Sequence, residues 1–117
     1  MFKRKLKSRD NKDIAASVIH KVADKFIEDP SLALYDGPVC TVIGQLMQEL
    51  NLTPHALSVK SGIEEPIIML ILSGMVKNKI GEHTKEVLTR LSEAMGFTYA
   101  NVISMGEEAF KISANIS

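Results

Sequence analysis

The sequence predicts an all-α fold, and three patterns support that prediction. Apolar residues recur every four positions over 13–29, which is the spacing of one buried helical face. Two short apolar segments within 53–74 are separated by a glycine, which typically ends a helix. A third helical stripe over 83–95 ends at Gly96. With 117 residues, 45% of them hydrophobic, the chain can form one domain with a mostly aliphatic core.

Residues 1–12 are strongly basic, although the whole chain has a net charge of zero. Six lysines and arginines stand there against a single aspartate, a balance of +5. We interpret 1–12 as a flexible arm, which is either a solvated terminus or a tail that neutralises phosphates. The candidate arm cations are Lys3, Arg4, Lys5, Lys7 and Arg9.

The segment 13–37 is predicted to be an N-terminal helix followed by a linker. The apolar stripe of this helix includes Ile14, Val18, Val22 and Phe26. Because the residue before a proline avoids the helical region, we expect the helix to end at Asp29, before Pro30. Residues 31–37 show no helical period, so an extended linker or a brief strand is expected there. The stripe must be covered either by the same chain or by a second subunit.

The next helix is predicted over 38–50, with Cys40 as a small buried hydrophobe and Asn51 at its end. A further helix begins at Thr53, a good N-cap, with Pro54 at the first helical position.

That helix is expected to end at Gly62, where glycine accepts a positive φ angle. The helix after it would then end at Gly74, with its core side made by Ile63, Ile68 and Ile71.

The remaining chain predicts two more helices. One runs from His83 or Thr84 to Met95, and a short one is capped by Thr98 and ends near Met105. In the tail over 107–117, Phe110 and Ile112 have strand-like spacing, so this segment is expected to pair in a dimer or to fray.

Together these residues are similar to the Cro/C1-type, or XRE-type, helix-turn-helix family. The similarity lies in Leu52-Thr53, Leu57, Ser61-Gly62-Ile63, Ile68, Ile71, Ser73-Gly74, Leu88, Leu91 and Ala94-Met95-Gly96-Phe97. It implies a five-helix, lambda-repressor-like DNA-binding domain over 38–106, to which the N-terminal amphipathic helix is an addition. It also implies a transcriptional regulator that binds double-stranded DNA, and we expect a homodimer.

The resemblance also implies which side chains meet DNA. The second helix of the motif, about 63–73, would place Glu64, Glu65, Ile67 and Leu70 against base edges. Lys60, Lys77 and Lys79 match positions that contact the phosphate backbone.

The second helix is unusual for base readout, because its outward positions are carboxylates and aliphatic side chains rather than Arg, Lys, Asn or Gln. The residues Ile67, Met69, Leu70 and Leu72 exceed what one buried stripe needs. An alternative is therefore a helix-turn-helix module that binds a protein partner through this apolar surface, antitoxin-like or as a prophage accessory factor, with weak or lost base readout.

The sequence gives little support for an enzyme, a metal-binding protein or a membrane protein. The three histidines are far apart and lack cysteines at zinc spacing, and no phosphate-binding glycine loop is present. We therefore expect no enzyme activity, metal or cofactor. One cysteine cannot form an internal disulfide, and the longest apolar run, 67–72, cannot cross a bilayer. A cytoplasmic protein without a membrane segment is expected.

Overall fold

The computed structural model describes residues 10–34, 37–73 and 84–116, which fold into six α-helices without a β-strand. The predicted all-α class is confirmed at this level. The helices are α1 (Asn11–Glu28), α2 (Gly37–Glu49), α3 (Pro54–Ser61), α4 (Glu65–Leu72), α5 (Thr84–Ala94) and α6 (Tyr99–Ile116). Of the expected arm over 1–12, residues 1–9 lie outside the described residues, as do Lys77, Lys79 and the predicted helix end at Gly74. The arm prediction is wrong for 10–12, because Asp10 caps α1 and Asn11 and Lys12 are its first two residues.

Helix α1 packs against α2 and α6 of its own chain. Its N-cap is Asp10, whose carboxylate accepts the backbone N–H of Asp13 at 2.9 Å. The four residues of the predicted stripe are all buried, and the helix ends at Asp29 as expected. These four residues of α1 are thus covered within the same chain, whereas Ile27 at the end of the helix is 40% exposed.

The linker prediction is wrong, because Pro30–Ala33 forms a short 3-10 helix rather than a strand or an extended segment. The Asp29 carboxylate accepts both the backbone N–H and the hydroxyl of Ser31, at 3.2 and 2.6 Å. This local cap favours a tight turn over an extended chain. The segment is too short for helical periodicity to predict it.

Helix α2 and its end agree with the sequence to within one residue. Asn51 has a φ angle of 56°, and the N–H of Leu52 donates to the carbonyl of Met47 at 2.8 Å, which closes the helix with a left-handed cap. The ammonium of Lys21 on α1 forms an ion pair with the nearly buried carboxylate of Glu49. Cys40 is buried, as predicted.

Helix α6 is much longer than predicted, and the expected strand-like or frayed tail is wrong for 107–116. The start is as expected, since the Thr98 hydroxyl accepts the N–H of Asn101 at 3.0 Å. The buried face continues to the end of the helix through Val102, Met105, Ala109 and Ser113. This face packs against α1 and α2, so tertiary contact stabilises the extension.

Candidate interface on helices α3 and α4

Helices α3 and α4 are short and are joined by the three-residue connection 62–64. The hydroxyl of Thr53 accepts the N–H of Ala56 at 3.0 Å and caps α3. Gly62 follows α3 with a φ angle of 77°, a left-handed conformation that glycine adopts without steric cost. Both ends of α3 are therefore formed by the residues that the sequence predicted.

Two serines of α3 hold the connection through one residue, Ile63. The Ser58 hydroxyl donates to the Ile63 carbonyl at 2.6 Å, and the Ser61 hydroxyl accepts the Ile63 N–H at 3.1 Å. The side chain of Ile63 is buried in the core. Sequence reasoning missed the role of Ser58, although serines close to a helix end often bond to nearby backbone groups.

Helix α4 is fixed to the core by one side only. Ile68 and Ile71 are fully buried, as predicted. Glu65 and Met69 lie in solvent, whereas the partly exposed Leu72 side chain reaches towards Gly44 of α2. Since α4 has only eight residues, its buried stripe leaves a continuous outer face available for contact.

The four residues predicted to face bases occupy two different environments. Glu64 and Glu65 at the start of α4 are exposed. Ile67 and Leu70 are half-buried, and Ile67 packs against the core. The part of this set that projects freely from the molecule is thus the pair of carboxylates.

The outer face of α3 and α4 is acidic. Nδ1 of His55 on α3 lies 3.4 Å from Oε1 of Glu65 on α4, so an exposed contact links the two helices. Lys60 is also exposed, but it stands five positions after His55, about 140° further around α3. It lines a groove together with Glu93 and Gly96 at the end of α5. Lys60 therefore does not share the surface of the His55–Glu65 contact.

The same face has exposed apolar side chains. Val59 and Met69 are 72% and 51% exposed, and each follows one member of the His55–Glu65 pair by one helical turn. Sequence reasoning included Met69 in the apolar surplus but missed Val59, which belongs to a short helix with little amphipathic character. We call the surface formed by Val59 of α3 and by Glu64, Glu65 and Met69 at α4 the α4 face.

Within the described ranges, no cluster of His, Cys, Asp and Glu side chains is arranged to hold a metal ion. Among the helices described, none is both long and apolar enough to cross a membrane.

A scan against models of protein families, a search of curated proteins and a search of solved structures each found no match to this chain. The similarity to the Cro/C1-type family therefore stays a prediction from the residue pattern.

Proposed function

We propose that this chain is a Cro/C1-type DNA-binding regulator with a lambda-repressor-like domain, which docks α4 in the major groove of double-stranded DNA as a homodimer. The observation that supports this most is how α4 is anchored to the rest of the domain. Its inner side is held by Ile68 and Ile71, its start is held through Ile63, and its outer side is open. A recognition helix needs such a rigid support and a free face.

The charge distribution dictates how such a protein would bind. The α4 face has carboxylates and no lysine or arginine, so it gains nothing from phosphates. Binding energy would have to come from Lys77, Lys79 and the basic arm. On the bases, the Glu65 carboxylate can accept a hydrogen bond from the amino group of cytosine, while aliphatic side chains such as Leu70 can contact a thymine methyl group. This mode predicts a steep dependence on salt.

The test is fluorescence anisotropy with a random DNA duplex over a salt series. The double variant Lys77→Glu/Lys79→Glu should lose most of the affinity for every sequence alike. Deleting residues 1–9 should lower the salt slope; the deletion stops there because Asp10 caps α1. Lys60→Glu reverses one charge instead of two, on another side of α3, and should lose less than half of the binding free energy that the double variant loses. Absence of binding by the full chain at low salt would refute the proposal.

A protein-interaction module is the second candidate, and the exposure of Val59 and Met69 beside Glu65 favours it. An apolar surface with an acidic edge fits a partner segment that is apolar and basic.

Met69→Lys separates the two candidates. A new cation on the α4 face should strengthen binding to random DNA if α4 lies in the groove. It should instead abolish recovery of a co-purifying protein if a protein docks there.

A further inference from the structure

A second apolar surface lies on the outer side of α6. Phe110 is 50% exposed at its centre, and Ile27 at the end of α1 is 40% exposed. We define the Phe110 surface as Ile27, Ala33, Val39, Ile103 and Phe110. Leu34, which directly follows Ala33, is 57% exposed. Half of the large hydrophobic side chains found exposed in the described ranges are therefore in or beside this surface, and the other half lie on α3 and α4.

The Phe110 ring stands between two hollows. One, of about 560 Å³, lies between α6 and the start of α2 and is lined by Pro38, Val39 and Ile103. The other, of about 210 Å³, is lined by Phe26 and Pro30. Phe110 and Ala33 border both. The surface thus presents a projecting aromatic ring directly beside apolar depressions.

The charges around the larger hollow indicate what covers it. Glu107 and Lys111 both line this hollow, and they are exposed and one helical turn apart on α6. If two α6 helices cross in antiparallel directions about a two-fold axis near Phe110, Glu107 of each copy meets Lys111 of the other. In this arrangement the Phe110 ring of one copy faces a hollow of the other, and Glu107 of one copy faces Lys111 of the other. Two copies of the same surface can therefore complement each other.

We propose that the Phe110 surface is the interface between two copies of this chain. Each Phe110 ring would fill a hollow of the other copy, and the Glu107 and Lys111 side chains would border it. No residue of the α4 face lines either hollow. The inference deepens the dimer in the proposed function, but it is tested without DNA, so either proposal can fail alone.

The first test is sedimentation equilibrium of the full chain without DNA over a wide concentration range. Phe110→Gln should weaken the dimer by about a hundredfold or more, since two central aromatic rings are lost per dimer. Val59→Gln removes another exposed apolar side chain and should leave the dimer unchanged. A monomeric full chain at every concentration, or a dimer that survives Phe110→Gln, would overturn the proposal.

The second test identifies the partner as a second copy. Glu107→Lys and Lys111→Glu should each weaken the dimer by about tenfold, because symmetry repeats each like-charge contact twice. The double variant should recover most of the lost affinity. Single variants without effect, or a double variant no better than either, would show that these two helices do not cross at this site.

Discussion

The side-chain amide of Asn11 donates a 2.6 Å hydrogen bond to the backbone carbonyl of Gly96, 85 positions further along the chain. Gly96 has a φ angle of 89° and follows the end of α5. The bond therefore fastens the first turn of α1 to the C-terminal end of another helix. Together with the packing of α1 on α2 and α6, it makes the N-terminal helix a structural part of the domain.

Removing this bond should destabilise the protein modestly. We expect Asn11→Ala to lower the free energy of unfolding by about 1 kcal/mol, the usual net value of a hydrogen bond that water can partly replace. Urea unfolding followed by circular dichroism measures the change. Lys12→Ala, at the exposed neighbouring position, should have almost no effect. Equal losses in both variants would mean that the Asn11–Gly96 bond contributes nothing.

Two glycines of α2 should respond to alanine in opposite ways. A Cβ atom at Gly37 would overlap the carbonyl oxygen of Leu32, whereas one at Gly44 would meet only the end of the Leu72 side chain, at 3.4 Å. Gly37→Ala should therefore cost more than about 2 kcal/mol, because the backbone must shift. Gly44→Ala should stabilise by about 0.5–1 kcal/mol, because alanine favours a helix interior. Thermal unfolding of both variants tests the pair, and stabilisation by Gly37→Ala would contradict the position of the 3-10 helix.

Adjacent residues of α4 test its orientation. Ile68 is fully buried and Met69 is 51% exposed. Ile68→Ala should lower the free energy of unfolding by about 2–4 kcal/mol, since it leaves a cavity in the core. Met69→Ala should change it by less than about 0.5 kcal/mol. If chemical denaturation gave the reverse order, α4 would be rotated and the α4 face assigned above would be wrong.

Much of the fold could be predicted because its signals are local. The cap at Thr53, the left-handed Gly62 and the stop at Gly96 each depend on a single residue type at a helix end. The length of α6 could not be predicted in this way. Within 107–116 the buried residues of α6 are small or polar, namely Ala109 and Ser113, while Phe110 and Ile112 lie beside them, so the apolar pattern of the tail alone resembled a strand.

The candidate site was predicted less completely than the fold. The residue pattern predicted the outward carboxylates of α4, Glu64 and Glu65, and its buried isoleucines, Ile68 and Ile71. Helical periodicity alone places Lys60 about 140° around α3 from His55. Which of these two sides lies beside α4 depends on how α3 packs against α4 and α5, and no local pattern encodes that. The exposure of Val59 likewise follows from tertiary packing around Leu57.

Neutralising the acidic start of α4 should strengthen DNA binding if α4 docks on DNA. Glu64→Gln/Glu65→Gln removes two charges that would lie near phosphates, and glutamine can also donate to adenine. We expect affinity for a random duplex at low salt to rise by about five- to tenfold, with a smaller gain at high salt because screening weakens the original repulsion. Anisotropy titrations measure both values.

The matched control is Asp24→Asn/Glu28→Gln, which removes two exposed charges one turn apart on α1. It changes the net charge equally, so a general reduction in repulsion would raise the affinity of both double variants alike. A larger gain for the α4 variant would locate the DNA near Glu64 and Glu65. Equal gains would exclude α4 docking while leaving binding through the basic residues intact. The α4 variant should also unfold slightly more easily, by about 0.3–1 kcal/mol per residue, because carboxylates at a helix start stabilise the helix dipole.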